Sequence, residues 1–253
     1  MRTFSVALVA LLVASSAWAT DDTSSKALIA AAVASPARTD ADRERDLREH
    51  PQEVMEFAGF KPGMSIGDIF GGAGYYSEIV AGIVGPKGLV RDVDNPPYDH
   101  YAKDGIAKRL ADNRLANVRY EVAPTEAMIL GHASLDGALM VMAYHDLYVS
   151  HPERGWPAAD VGQFLDQLAD ALKSGAVLLV IDHAARPGSG QQDTQEMHRI
   201  DEQFARAAFE AHGFKLVGTL PVLRNPDDDH SLNVFDPAIR GKTDRFVHLY
   251  RKP

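Results

Sequence analysis

The sequence contains no cysteine among its 253 residues. This absence excludes disulfide bonds, thiolate zinc sites and a cysteine nucleophile, and it is compatible with an oxidising compartment. Basic residues are fewer than acidic ones, 26 against 35, which gives a formal net charge of −9. Proteins that hold nucleic acid by its phosphates need clustered Lys and Arg, so this charge argues against a nucleic acid partner.

Long apolar runs are also scarce. The first one, residues 4–13, follows Arg2 and precedes Ser-Ser-Ala-Trp-Ala19, the small-x-small pattern of a signal-peptidase site. The run is shorter than a transmembrane span requires, and there is no lipobox cysteine. We therefore expect cleavage after Ala19 and an exported protein, periplasmic or extracellular, without a stable membrane anchor. An uncleaved membrane anchor is the alternative interpretation.

The rest of the chain lacks internal repeats and shows no sign of a second domain. We expect a signal peptide over residues 1–19, an N-terminal helical arm over 20–50 and one domain over 51–253. The arm is expected to have a flexible start followed by short helices. Its charged stretch, Asp40–Arg48, is either a solvated helix or a lid or dimer arm over a binding site.

Strands and helices alternate from Pro51 onwards. Several predicted strands are continuous apolar runs, which indicates burial on both faces, as in a parallel sheet. The pattern predicts one doubly wound, mostly parallel α/β sheet of seven strands, with the last two strands paired antiparallel at its edge. The predicted strands are residues 65–70, 89–94, 118–122, 135–143, 175–181, 214–220 and 246–250, and the main helices are 51–57, 75–84, 101–112, 164–173 and 194–212.

A glycine-rich stretch, residues 64–78, lies at the first of these strands. It is predicted to be a buried strand that ends at Asp68, a turn with Gly71, Gly72 and Gly74, and a helix that begins near Tyr75. Glycines can adopt positive φ and allow a ligand to approach the backbone closely. The start of the following helix points free N–H groups and its positive dipole end at the same place. Ordinary tight turns contain such glycines too.

The second strand ends in Asp94, about twenty residues beyond the glycine turn, where an acid in nucleotide-binding α/β folds accepts hydrogen bonds from ribose hydroxyls. Asp68-Ile-Phe-Gly-Gly-Ala-Gly74 followed by Val-Asp94 resembles the first two motifs of class I S-adenosylmethionine-dependent methyltransferases, with Phe70 in place of the first glycine of the motif. The resemblance extends from about Pro51 to the C-terminus. It implies a Rossmann-like methyltransferase fold, S-adenosylmethionine as cofactor, and cofactor binding by Asp68, Gly71, Gly72, Gly74, Asp94 and Glu126.

The C-terminal third shows a narrower resemblance. The segments Asp182-His183-Ala-Ala, His198-Arg-Ile-Asp201, Asp-Asp-His230 and Gly-Lys-Thr-Asp-Arg245 are similar to a group of exported bacterial proteins described as predicted methyltransferases. The resemblance implies an enzyme that transfers a methyl group to a nitrogen or oxygen of a small-molecule substrate. Neither the acceptor nor the oligomeric state follows from it.

Polar side chains follow the fourth and fifth strands, and ligands of such sheets lie outside the carboxyl ends of the strands. A neutral imidazole there can accept a proton from the attacking nucleophile, with Asp146 or Asp182 orienting the ring. We expect His145, Asp146 and His183 to be catalytic. The substrate is expected to contact Tyr144, Tyr148, His198 and His230. The alternative interpretation is that His145 and Asp182 only satisfy backbone groups of loops.

Two other functions use the same residues. The histidines and aspartates include enough ligands for a divalent metal, but neither His-Glu-x-x-His nor His-x-His occurs, and the expected site contains no metal. A metal-dependent enzyme is thus the less favoured alternative. The other is a methyltransferase-like protein that has lost catalysis and binds a nucleoside-like or other small ligand, since a fold does not fix a function.

Overall fold

The computed structural model describes the backbone of residues 16–253 and the side chains from Ser24 onwards. The signal peptide predicted over residues 1–19 lies outside these residues, apart from the backbone of residues 16–19. Cleavage and export therefore stay predictions. Within the described part of the chain, no helix has both the length and the apolar character needed to cross a bilayer.

One sheet of seven strands forms the centre of the fold. The strands are β1 Ser65–Ile69, β2 Leu89–Asp94, β3 Val118–Val122, β4 Leu135–Val141, β5 Leu172–His183, β6 Lys215–Thr219 and β7 Arg245–Arg251. Their order across the sheet is β3-β2-β1-β4-β5-β7-β6. β7 runs antiparallel to β5 and β6, whereas the remaining neighbours are parallel. The predicted fold class and the antiparallel pairing of the last two strands are confirmed.

Helices cover both faces of this sheet. They are α1 Ser16–Val33, α2 Asp40–Glu49, α3 Pro51–Ala58, α4 Tyr75–Val84, α5 Pro96–Leu110, α6 Val161–Ala171, α7 Thr194–Met197 and α8 Glu202–Ala211. Successive side chains of a strand point to opposite faces of the sheet. Met140 of β4 therefore belongs to a buried cluster with residues of α6 and α8, whereas its neighbour Leu139 belongs to a second cluster with residues of α1, α3 and α4. The two buried clusters make a three-layer α/β/α domain.

The start of α5 differs from the prediction. The sequence predicts a helix from Tyr101, but the helix already begins at Pro96. Asn95 caps it, because its side chain accepts a hydrogen bond of 2.9 Å from the backbone N–H of Tyr98. Proline suits the first turn of a helix, where its missing N–H has no partner to lose. Tyr98 is therefore a helical residue beside the end of β2.

The predicted helix 194–212 is two helices. His198 ends α7 in the left-handed conformation, with φ 53°. The next residues leave the helix because Ile200 pairs with the end of β5, donating to the carbonyl of His183 at 3.0 Å. Asp201 then caps α8. His198 and Asp201 therefore lie at the ends of two different helices and share no helical face.

The N-terminal arm packs on the domain. α1 is one helix through the stretch that was expected to be a flexible start, and its Ile29 and Ala32 lie in the same buried cluster as α4. α2 is joined to the domain by ion pairs from Asp42 to Arg109 and from Glu49 to Arg245. Tyr75, the first residue of α4, donates a hydrogen bond to Asp46 of α2, so α2 lies against the start of α4.

Candidate functional site

The turn between β1 and α4 has the backbone that its glycines predict. Gly72 and Gly74 have φ of 61° and 75°, and Phe70 also has positive φ, 58°. A Cβ on Gly71 would lie 2.7 Å from both the carboxyl carbon of Asp68 and a carboxyl oxygen of Asp92, so only glycine fits there. A Cβ on Gly72 would meet nothing within 4 Å, because this residue borders a cavity.

Three carboxyl groups lie directly behind this turn. Ser77 Oγ is 2.7 Å from Asp68 Oδ2 and 2.9 Å from Asp92 Oδ2. Burial raises the pKa of Asp68 to about 7; the hydrogen bond from Ser77 lowers this pKa and the nearby charge of Asp94 raises it. Burial also raises the pKa of Asp92 well above its ordinary value. Asp68 thus stabilises the turn through Ser77, and its predicted contact with the cofactor stays a prediction.

Asp94, the predicted ribose-binding acid, is tied to the turn. Its Oδ1 accepts a hydrogen bond from the backbone N–H of Gly72 at 3.1 Å, and its Oδ2 accepts one from Tyr120 Oη at 3.1 Å. The side chain is fully buried, and burial raises its pKa to about 6. Each carboxylate oxygen keeps a second lone pair. Asp94 can thus accept further hydrogen bonds, but only after its surroundings open.

A cavity of about 750 Å³ opens at the carboxyl ends of β1, β2 and β4. Its size falls within the range of small-molecule sites. Gly72 and Ala73 line it at the start of α4, so it receives the positive end of that helix. Aromatic and polar side chains form the rest of its wall, among them Tyr98, Tyr101, Asp146, Trp156, His198 and Phe235.

A second, smaller cavity of about 150 Å³ adjoins the first, and Tyr98 belongs to the wall of both. Phe70 and the predicted cofactor-binding residue Glu126 line it. The ring of Phe70 stacks on Tyr98 at 5.0 Å and on Phe164 at 5.6 Å between ring centres. These rings fill much of the space beside the glycine turn, so the smaller cavity cannot hold an adenosine without a movement of Tyr98.

Two histidines and two aspartates meet at the ends of β4 and β5. His145 Nδ1 is 2.7 Å from Asp182 Oδ1, and its Nε2 is 3.3 Å from Asp146 Oδ1. His198 Nδ1 approaches the same oxygen to 3.4 Å, and Tyr98 Oη donates to Asp146 Oδ2 at 2.5 Å. In the described part of the chain, His145, Asp146 and His198 are the one group of this kind close enough to share a metal ion.

The two carboxylates determine the charge of His145. Burial alone would lower its pKa, but Asp146 and Asp182 on either side raise it well above the ordinary value. Burial would raise the pKa of Asp146, yet His145 holds it well below its usual range. Both shifts favour the charged forms of this pair. The role of His145 as a proton acceptor stays a prediction.

His183 does not reach the same cavity. It is half-buried, its Nδ1 contacts Thr243 Oγ1 at 2.8 Å, and desolvation lowers its pKa well below the ordinary value. Its ring meets that of His145 edge to face at 5.8 Å, but it lines a different cavity of about 620 Å³, together with Arg45 and Arg245. The fifth strand thus separates His183 from the cluster.

Three predicted substrate residues lie away from the cavity. Tyr144 is fully buried against Phe209, and its hydroxyl is 2.7 Å from that of Tyr148, which also packs on the core. His230 contacts Asp244 in the loop before β7. His198 is the one of the four that lines the cavity.

Tyr98 and Trp156 border both cavities and were not identified from the sequence. For Tyr98 a signal existed, since Asn-Pro-Pro is also a helix start, and that reading would have placed Tyr98 at the end of β2. Trp156 lies outside any helix or strand, and no local pattern marks it.

Neither models of protein families nor curated proteins match the sequence. Solved structures match in fold. An S-adenosylmethionine-dependent methyltransferase from Aquifex aeolicus is similar at a TM-score of 0.57 and 20% identity, over 84% of this chain and 98% of that one.

Two further structures are similar to a comparable degree. A chain of the Haloferax volcanii complex that contains a methyltransferase activator has a TM-score of 0.58 at 14% identity, over 89% of this chain and 97% of that one. The cyclase SpnF has a TM-score of 0.56 at 15% identity, over 84% of this chain and 81% of that one. The chain has the fold of class I S-adenosylmethionine-dependent methyltransferases. The narrower resemblance to exported proteins stays a prediction.

Proposed function

We propose that the protein transfers the methyl group of S-adenosylmethionine to a nitrogen or oxygen of a small molecule, and that it does so as an exported protein. The hydrogen bond from Gly72 N–H to Asp94 carries the proposal. It joins the glycine turn to the acid at the end of the neighbouring strand, beside a cavity of about 750 Å³. Ligands of open α/β sheets bind at this place.

The two ends of the donor have different surroundings. The methionine carboxylate fits the cavity wall at Gly72 and Ala73, where the start of α4 supplies free N–H groups and a positive dipole end. The adenosine lies towards Glu126 and the smaller cavity. This orientation requires Tyr98 to move, which opens a path to Asp94 and joins the two cavities.

The acceptor lies on the opposite side, against Asp146 and His198. Methyl transfer depends chiefly on the alignment of the nucleophile with the sulfonium, so positioning lowers the barrier more than proton transfer does. Asp146 is itself held by Tyr98 and His145. We assign this cluster the task of holding the acceptor atom in line.

A second function is favoured by one observation. Phe70, Tyr98 and Phe164 form a continuous stack where the adenosine of a donor would lie. A protein in which this stack does not open would use the large cavity for another small ligand and transfer no methyl group. The same fold occurs in SpnF, a [4+2]-cyclase, so the fold alone does not fix the reaction.

Calorimetric titration with S-adenosylmethionine and S-adenosylhomocysteine tests the proposal. We expect micromolar binding, about −8 kcal/mol. Asp94→Asn keeps the shape of the side chain and removes its charge, and a hydrogen bond to a charged group contributes about 1.5–3 kcal/mol. The variant should therefore bind at least about tenfold more weakly.

Asp99→Asn is the matched control. Asp99 accepts from the same Tyr120 hydroxyl, at 3.0 Å, but it lines neither of the two cavities. Its substitution should leave binding unchanged. Absence of binding to the unsubstituted protein at millimolar donor would remove the methyltransferase proposal, and equal losses in both variants would mean that the effect comes from Tyr120.

A further inference from the structure

Three potential metal ligands converge on one point of the cavity wall. His145 Nε2 and His198 Nδ1 lie 3.3 Å and 3.4 Å from the same oxygen, Asp146 Oδ1. Ligand atoms around a divalent ion with bonds of about 2.0–2.2 Å are separated by roughly 3 Å or slightly more. All three donor atoms lie within 4.8 Å of one another.

Asp146 Oδ1 has an unsatisfied environment. It is buried, and no hydrogen-bond donor of the described residues reaches it with acceptable geometry. The other carboxylate oxygen is bonded to Tyr98. A buried carboxylate oxygen without a partner is costly, and such atoms are rare in folded proteins. A cation between the three side chains would satisfy it.

Asp182 supports this arrangement from behind. Its Oδ1 contacts His145 Nδ1 at 2.7 Å, and its Oδ2 accepts from the backbone N–H of His145 at 2.8 Å. A proton on Nδ1 leaves the lone pair of Nε2 directed at the oxygen of Asp146. Metal-binding histidines usually donate their second N–H to a carboxylate in this way, which fixes the tautomer and the ring.

The backbone at His198 is also unusual. A residue other than glycine with positive φ carries strain, and such strain is frequent at functional sites. At His198, φ is 53° and ψ is 45°, at the end of α7. This conformation brings the ring to Asp146 and against Phe235, at 5.0 Å between ring centres.

We infer that His145 Nε2, Asp146 Oδ1 and His198 Nδ1 bind a divalent transition metal ion. Two imidazoles and one carboxylate suit Zn²⁺ or Fe²⁺ and disfavour Mg²⁺ and Ca²⁺, which take oxygen ligands. Three protein ligands leave coordination positions open, and Asp146 and His198 border the large cavity. The open positions would bind an oxygen of a small molecule or a water, whose pKa the ion lowers.

The inference does not depend on the methyl donor, because the ligand set lies at the ends of β4 and β5 and shares no residue with the glycine turn or Asp94. The metal-free alternative is an ion pair in which a protonated His145 lies between two carboxylates. That state requires no metal ion. After dialysis the metal site would keep a bound ion, whereas the ion pair would hold none.

Metal titration of the full chain, without a histidine tag, tests the inference. The protein is first dialysed against a chelator and then titrated with Zn²⁺, with Fe²⁺ under anaerobic conditions, and with Mg²⁺ as the comparison. We expect one equivalent of Zn²⁺ or Fe²⁺ to bind, and no saturable binding of Mg²⁺. Co²⁺ in place of Zn²⁺ should give visible absorption bands of a site with nitrogen and oxygen ligands.

The variants distinguish this site from adventitious binding. His198→Ala should weaken Zn²⁺ binding at least about tenfold, and Asp182→Asn by about 10–100-fold through loss of the supporting carboxylate. His132→Ala is the matched control, because His132 is exposed and contacts Asp170 at 2.7 Å without a third ligand. It should bind Zn²⁺ as the unsubstituted protein does.

Two results would overturn the inference. One is that the unsubstituted protein binds less than a stoichiometric amount of each transition ion. The other is that His198→Ala, shown by circular dichroism to be folded, binds Zn²⁺ as tightly as the unsubstituted protein. Neither result bears on the titration with S-adenosylmethionine, which uses a different part of the cavity.

Discussion

Ser77 lies between two buried carboxyl groups and has a single proton to donate. Its oxygen is 2.7 Å from Asp68 and 2.9 Å from Asp92, so only one of the two contacts has Ser77 as the donor. Burial and the nearby charges of Asp68 and Asp94 raise the pKa of Asp92 well above its ordinary value. We therefore expect Asp92 to carry the second proton and to donate to Ser77, which then donates to Asp68.

This arrangement predicts a stability that depends on pH. A carboxyl group whose pKa is raised by folding keeps its proton in the folded protein and loses it in the unfolded chain. The free energy of unfolding therefore falls as the pH rises from about 4 towards the folded pKa. Asp92→Asn replaces the protonated acid by an amide of the same shape, which can still donate to Ser77.

We expect Asp92→Asn to gain stability relative to the unsubstituted protein as the pH rises from 5 to 8. The gain is at most about 1.4 kcal/mol for each pH unit over which Asp92 stays protonated in the folded state. Urea unfolding at several pH values measures it. The exposed Asp104→Asn should show no such trend, and a constant difference between Asp92→Asn and the unsubstituted protein would contradict the proton assignment.

Sequence spacing located the donor side of the site better than the acceptor side. The positions of Gly72 and Asp94 follow from a local pattern, a strand followed by a turn or an acid, and the structure joins them by one hydrogen bond. The contact between His145 and His198 joins residues that are far apart in the sequence. It depends on the left-handed end of α7, which side-chain periodicity does not reveal.

Among the elements, the strands followed most directly from the sequence. β2, β3 and α4 have the predicted boundaries. Glycines mark the ends of α4, at Gly74 and Gly85, and the start of β2, at Gly88. The break between α7 and α8 did not follow, since it arises from the pairing of Ile200 with the end of β5. Tertiary hydrogen bonds of this kind override the helical pattern of the sequence.

α2 depends on charged contacts that connect it to the glycine turn. Arg109 contacts Asp42 of α2, Glu78 of α4 and the carbonyl of Ala73 in the turn. Glu78 also accepts two hydrogen bonds from Arg114, both at 2.7 Å. Because Glu78 is buried, its removal would leave Arg114 without its carboxylate partner and Arg109 with Asp42 alone.

Glu78→Gln should therefore destabilise the protein by about 3 kcal/mol, since breaking a buried ion pair leaves an uncompensated charge. Glu210→Gln is the comparison. Glu210 pairs with Arg206 one helical turn away at an exposed site, where such pairs contribute less than about 1 kcal/mol. Chemical denaturation of both variants measures the difference, and equal losses would show that the buried network contributes no more than a surface pair.

At the scale of the whole molecule, α1 links the proposed export to the stability of the domain. Ile29 and Ala32 pack on α4, where a Cβ on Gly82 would lie 2.9 Å from that of Ala32. These contacts begin well after Ala19. A chain that starts at Thr20 thus keeps the part of α1 that packs on the domain, and a chain that starts at Ser35 loses all of it.

We expect the protein expressed with its own leader in a bacterium to be recovered outside the cytoplasm with Thr20 as its first residue, as measured by intact mass.

The chain that starts at Thr20 should be more stable than the chain that starts at Ser35. Ile29→Ala in it should cost about 2–5 kcal/mol, as for other buried large-to-small changes. Ala27→Ser, on the exposed side of α1, should change stability by less than about 0.5 kcal/mol. Recovery of a chain that keeps Met1 in the membrane fraction would instead support an uncleaved anchor, and equal stability of the chains from Thr20 and Ser35 would show that α1 does not stabilise the domain.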